Sequence, residues 1–250
     1  MIDMEGFLEY ANLPRGNVTC VVVSDIIPEL LTELVNNYSI KVVVPSPLNK
    51  ISGSEKYHAD MSFFHLGMNR FILDKNNNDL KKHMEKIGGI ITDCDQISAS
   101  VPKLNACLLK DVMICNKTIT DENIRNKKKK KKIKLLHTKQ RYAKCSTAIV
   151  TDNAVITTDE SIYRICKEEG IDVLKVRNEG IDLYGYNYGF IGGCCGLISD
   201  NLLAFSGAIQ NHPDYNNIKA FAGNYGISII SLGSNKLYDI GGIIPVTERK

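Results

Sequence analysis

Four side chains able to take part in chemistry, His58, Asn105, Ser146 and Cys194, stand at the same point of a pattern that recurs along the 250 residues. A thiolate is a strong nucleophile, an imidazole moves protons near neutral pH, and an amide or hydroxyl orients a partner by hydrogen bonding. Asn105 has no basic site and cannot serve as a general base. Around Cys194 the chain reads Gly192-Gly193-Cys194-Cys195, and around His58 it reads His58-Ala-Asp60. Residues i and i+2 on a strand share a face, so the imidazole and the Asp60 carboxylate are expected to point the same way, with Cys195 facing away from Cys194. Gly192-Gly193 leads into a strand and not a helix, so it is no phosphate cradle. Cysteine is among the most buried residue types, and most of the eight are expected to fill core. His65 and His212 read as structural, with His212-Pro213-Asp214 opening a helix.

The elements that must position these groups follow from the repeat. Ser146-Thr-Ala-Ile-Val-Thr-Asp-Asn153 is followed by Ala-Val-Ile-Thr, and Cys194-Cys-Gly-Leu-Ile-Ser-Asp-Asn201 by Leu-Leu-Ala-Phe. Asn105-Ala-Cys-Leu-Leu-Lys-Asp111 and, two residues longer, the stretch from His58 to Asn69 carry the same design. Each predicts a tight β-hairpin whose Asp or Asn accepts the special backbone angles of the turn. The starts at 58, 105, 146 and 194 lie 47, 41 and 48 residues apart. A helix and a further strand follow each hairpin; helices are expected over 78–86, 159–169 and 214–225, each ended by glycine. The helix of the unit that opens at Asn105 should hold the lysine run. The N-terminal strand, helix and strand at 18–23, 27–35 and 40–44 lack a first strand, and 237–246 offers a spare one, with Tyr238-Asp239 filling the fifth equivalent position. The expected units are 16–46 plus 237–246, 58–94, 104–143, 145–178 and 189–233. This predicts an α/β fold of one domain, a five-fold pseudosymmetric β/α propeller of strand-strand-helix-strand units. The C-terminal strand would close the ring and remove its exposed edges.

Composition bounds the function classes. With 44% hydrophobic and 24% charged residues the chain reads as soluble and globular, neither fibrous nor disordered. No basic-then-apolar leader is seen, and the longest uncharged run, 183–199, is too short and glycine-rich to span a membrane, so a cytoplasmic protein with free thiols is expected. No Cys-x-x-Cys pair suggests structural zinc, and neither a metal nor an organic cofactor is expected. The net charge of +3 becomes −3 once the six consecutive lysines from Lys127 to Lys132 are left out, so the basic character is local. That run reads as a solvated helix end; its sharper reading is a phosphate-binding patch, the only feature favouring a nucleic-acid partner, and no aromatic residues interleave it.

Five such units resemble the pentein fold of the guanidino-group-modifying enzymes, which include deiminases, dimethylarginine hydrolases and amidinotransferases. The chain also looks like an uncharacterised bacterial family assigned to that fold. The likeness covers residues 16–246 and is carried by the stretches from Tyr57 to Gly67, Lys144 to Asp152 and Gly189 to Ile198. It implies a cysteine near the start of one unit that attacks the guanidinium carbon, a histidine opening another unit that shuttles protons, and carboxylates that grip the nitrogens. Gly192-Gly193-Cys194-Cys195 is similar to the family's nucleophile strand, whose glycines let substrate approach, and a Cys-Cys pair there points to Cys194. His58-Ala-Asp60 resembles the deiminases' His-x-Asp. The resemblance also implies a histidine two units before the cysteine. That place holds Asn105, and His58 lies two units after Cys194 in a closed ring.

The leading expectation is a cysteine-dependent hydrolase or transferase of a guanidine- or amidine-type small molecule. Cys194 would attack, His58 transfer protons, Asp60 and Asp239 hold the cation, and Asn105 and Ser146 orient it. The alternative is a non-catalytic binding protein on the same scaffold, ribosome- or RNA-associated through the lysine run. The Tyr184-Gly-Tyr-Asn-Tyr188 loop reads as a pocket wall or lid in the first case and as packing in the second. Oligomeric state is not legible.

Overall fold

Apolar residues dominate the first two strands of most expected units with little alternation, which is the pattern of strands buried on both faces. The computed structural model describes residues 5–130 and 133–249, and of 127–130 only the backbone. In it Phe63–Gly67 pairs antiparallel with Arg70–Asp74, and helix Asn78–Lys86 returns the chain to Ile90–Cys94, parallel to that second strand. Cys107–Leu108, Val112–Cys115, helix Glu122–Lys130 and Lys134–His137 repeat this order. So do Thr147–Thr151, Ala154–Thr157, helix Glu160–Glu168 and Asp172–Lys175. Cys195–Ser199, Leu202–Ser206, helix Tyr215–Gly223 and Ser228–Leu232 do so again. Local chemistry sets the helix starts: Asp159 accepts the Ile162 N–H at 2.9 Å and Asn77 accepts that of Leu80 at 3.4 Å.

At the N-terminus Asn17–Val22, helix Pro28–Tyr38 and Lys41–Val43 form a unit without a first strand, and Ile244–Arg249 supplies it by pairing antiparallel with Asn17–Val22. Two expectations are corrected. The strand foreseen over 237–246 is divided, since Leu237–Tyr238 pairs in parallel with Ile181–Asp182 and only the remainder joins the first unit. The C-terminal strand completes the first unit as foreseen, but no closed sheet results: the described strands form six separate sheets. A third difference lies in the hairpins. The turn residues Asp152, Asn153, Asp200 and Asn201 keep ordinary negative φ. A register shift between Ile149 and Thr151, and another between Leu197 and Ser199, supplies the twist instead.

The core explains the two-sided strands. Phe63 and Phe64 are both buried yet belong to different apolar clusters, the first with Val22 and Ile244, the second with Leu108 and Met113. Ile149 and Ala148 divide likewise, toward Ile114 and toward Phe205. Each of five clusters therefore joins consecutive units, and one joins Ile198, Ala204 and Leu232 of the last unit to Val21 and Leu30 of the first. No helix among the described residues is long and apolar enough to cross a membrane. The lysine run falls at and beyond the end of helix Glu122–Lys130, and its proposed patch lies outside the described side chains.

Candidate active site

A single helical turn precedes the first strand in three of the units, and this turn decides which side chains reach the site. His58 is extended, and Ala59–Ser62 form one helical turn before the strand starts at Phe63. His58 and Asp60 are therefore not the strand neighbours on one face that their i, i+2 spacing predicts. The turn is set by core packing, because it sends Ala59 and Phe63 into one cluster and Met61 into the next. The same device holds residues 143–146, where Ser146 N–H donates to the Tyr142 carbonyl at 2.9 Å. It recurs at Ile191–Cys194, so Cys194 too lies before its strand and not on it.

The structure gathers His58, Asp60, Asn105 and Asp239 around Cys145. Cys145 Sγ donates to Asp60 Oδ2 at 2.7 Å and lies 4.0 Å from His58 Nδ1. His58 Nδ1 is in turn 3.7 Å from Asp239 Oδ1. Asn105 Nδ2 approaches the same sulfur at 3.4 Å, while its Oδ1 accepts the backbone N–H groups of Lys144 and Cys145 at 2.9 and 3.2 Å. Asn105 thus fixes the turn carrying the thiol. Asp239 is oriented by the Phe190 N–H at 2.9 Å and the Gly241 N–H at 3.1 Å. The buried Lys144 donates its ammonium to the Gly192 carbonyl at 3.3 Å.

Cys194 is placed differently. Its Sγ donates to the Phe190 carbonyl at 3.3 Å within an apolar cluster, and it is not among the residues that line the cavity over Cys145. Ser146 is buried outside that lining as well, its carbonyl accepting the Thr157 hydroxyl at 2.7 Å. The double glycine makes room for protein and not for substrate. A Cβ on Gly193 would stand 1.8 Å from Asp239 Oδ1, and one on Gly192 would stand 2.3 Å from the Thr147 carbonyl oxygen. Cys145, which reading the repeat passed over, is the residue just before Ser146 in the aligned position; its signal was adjacency to a unit start.

The electrostatics follow from burial. Asp60 is pushed up to about 6 by desolvation, against the pull of His58 and Lys144. Desolvation also raises Asp239. The Cys145 thiol is driven well above its ordinary value, first by desolvation and then by the Asp60 and Asp239 charges. Without a cation in the site the sulfur is a protonated thiol. Two buried carboxylates beside it create a strong demand for positive charge. A cavity of about 430 Å³ opens above, lined by Glu55, His58, Tyr142, Cys145, Tyr186, Phe190 and Asp239 among others. The Tyr184–Tyr188 loop forms part of its wall through Tyr186, Asn187 and Tyr188.

His58, Cys145 and Asp239 offer donor atoms within 4.8 Å of one another and could ligate a metal. They would have to draw together, because donors about 2.0–2.3 Å from a zinc ion stand closer to each other than that.

The buried Cys-His-Asp constellation sits on a mixed α/β architecture whose fold solved structures share. An amidinotransferase of the saxitoxin biosynthetic pathway from Microseira wollei superposes with a TM-score of 0.58 at 10% identity, covering 91% of both chains. An agmatine deiminase from C. jejuni gives 0.55 at 12% identity, covering 92% of this chain and 90% of its own. DDAH from Pseudomonas aeruginosa gives 0.55 at 10%, covering 94% and 100%. These are pentein-fold enzymes, and at such identities the likeness is one of fold. No curated protein matches the sequence. The model of DUF6873, a family of unknown function, matches residues 22–244, and the chain belongs to that family.

Proposed function

We propose that this protein is a cysteine-dependent hydrolase or transferase of a small guanidine or amidine, with Cys145 as nucleophile. The observation that carries this reading is the position of Cys145 Sγ, 2.7 Å from Asp60 Oδ2 and 4.0 Å from His58 Nδ1 at a cavity wall. A guanidinium or amidinium supplies the positive charge that Asp60 and Asp239 demand, and its central carbon is the electrophile a thiolate attacks. The finer architectural reading, five units in a pseudosymmetric ring, draws support from the apolar clusters, one of which joins the last unit to the first. It also removes an anomaly of the sequence. With Cys145 in the fourth unit, the unit two before it opens with His58, the order that the pentein resemblance implies.

The steps follow from the geometry. The cation binds against Asp239 at the cavity wall, with the Asp60 charge behind the sulfur, and lowers the cost of the neighbouring thiolate, so the thiol proton passes to His58 Nδ1. Sulfur forms a bond to the central carbon while the carbon–nitrogen π pair moves onto nitrogen. The pair returns as the bond to the leaving nitrogen breaks, and that nitrogen takes the proton from His58, whose Nε2 has no hydrogen-bond partner among the described residues. Water then attacks the thiouronium carbon in hydrolysis, or an amine does so in transfer. His58 removes the attacking proton, and Cys145 leaves as the restored thiol.

The test is release of ammonia or amine from a panel of alkylguanidines and alkylamidines. The native protein and Cys194→Ala should turn over the same members, and Cys145→Ser none. Turnover retained in Cys145→Ser, or lost only in Cys194→Ala, overturns the reading.

A further inference from the structure

The cavity holds an acidic group besides those around the sulfur. Glu55 lies in the short turn Ser54–Tyr57, is only 5% exposed, and still lines the cavity. One of its carboxylate oxygens accepts the Tyr186 hydroxyl, and the other, Oε2, has no hydrogen-bond partner among the described residues. Leaving a buried carboxylate oxygen without a donor is costly. The chain nonetheless makes room for it, since a Cβ on Gly53 would stand 2.0 Å from that oxygen. The turn is tied to the tyrosine loop by Ser54 Oγ, which donates to the Tyr184 carbonyl at 2.9 Å.

Aromatic rings line the same cavity. Tyr142 and Phe190 stack with centroids 6.4 Å apart, and Tyr188 meets Phe190 edge-on at 6.0 Å. Aromatic faces beside a carboxylate suit an ammonium group, which takes a charge-assisted hydrogen bond from one side and ring quadrupoles from the other. Among the described lining residues there is no lysine or arginine. A substrate carboxylate or phosphate would meet no permanent cation there.

We propose that Glu55 is a specificity-determining residue that receives an ammonium group at the far end of the substrate, which makes the substrate class an aminoalkyl guanidine or amidine without a carboxylate. This rests on the reading in which Cys145 attacks the guanidinium carbon. That reading accounts for one end of the molecule, and Glu55 with its aromatic neighbours accounts for the other.

The experiment is calorimetric titration of Cys145→Ser protein with 4-aminobutylguanidine, butylguanidine and arginine. The aminoalkyl compound should bind about tenfold or more tightly than butylguanidine, and more tightly than arginine. Adding Glu55→Gln should erase the first difference. In native protein the same order is expected in kcat/KM, which keeps the comparison valid if either variant folds poorly. Equal affinity for the first two compounds, or a difference that survives Glu55→Gln, overturns the role of Glu55 while leaving guanidinium binding beside Cys145 intact. Absence of binding by all three overturns the guanidinium reading itself.

Discussion

Cys145 and Asp60 meet through one hydrogen bond, Sγ to Oδ2 at 2.7 Å, although 85 residues separate them in the chain. The bond joins the turn that opens the fourth unit to the turn that opens the second, and both partners are buried. Burial keeps the sulfur protonated while the site is empty, and the carboxylate adds to this by accepting the S–H and repelling the thiolate. A thiol held this way is inert toward neutral reagents and becomes a nucleophile when a cation arrives. Charge-dependent activation is the property that the following predictions examine.

Asp60 titrates near 6, so cation binding should depend on pH in that range. Above it the carboxylate is charged and attracts the guanidinium; below it the group is protonated and the attraction is lost. The affinity of the Cys145→Ser protein for 4-aminobutylguanidine should fall as pH drops through about 6. An affinity that is flat across this interval contradicts the role given to Asp60.

The same shift has a consequence for stability. Asp60 is raised above its unfolded value, so between roughly 4 and 6 the folded state binds more protons than the unfolded one. Its contribution to stability then declines as pH rises through that window. Asp60→Asn removes a buried charge and should raise the melting temperature at neutral pH, a gain on the order of 1–3 kcal/mol, while abolishing turnover. Loss of both stability and turnover would mean that Asp60 chiefly holds the fold.

Gly193→Ala should disrupt Asp239 before anything else, since the new methyl would stand 1.8 Å from Oδ1. A destabilisation of about 1–3 kcal/mol is expected from forcing these groups apart, with a larger proportional loss of activity than of folded protein. Thermal melting and turnover measured together will separate the two. An Ala variant with native stability and activity would show that the backbone relaxes freely here.

Much of this architecture was legible in the sequence because it is repeated. Two-sided burial leaves continuous apolar runs such as 148–150 and 195–198, and a helix stopped by glycine follows three of the hairpins. The residues that open each unit, His58, Asn105 and the Asp239 region, were found by the same alignment. The sulfur was harder to read. A one-residue difference in where a helical turn hands over to a strand decides whether Cys145 or Ser146 faces the cavity, and hydrophobic periodicity does not record that handover. Gly192-Gly193 misled for a related reason, since close approach by Asp239 and Thr147 requires glycine as much as a substrate would. Glu55 left no pattern at all. It lies in a connecting turn, and its importance comes from a loop some 131 residues away.

The most direct test of the Cys145 assignment is competitive alkylation followed by peptide mapping. All eight cysteines are buried, so unselective labelling of the folded protein should be slow. 2-Chloroacetamidine, an amidinium that carries an alkylating carbon, should modify Cys145 and leave Cys194 untouched. It should react faster than iodoacetamide, which is neutral, even though iodoacetamide has the better leaving group. The advantage should shrink in Asp60→Asn. Modification of Cys194 in place of Cys145, or a cationic reagent no faster than the neutral one, would contradict a nucleophile at Cys145 that is activated by positive charge.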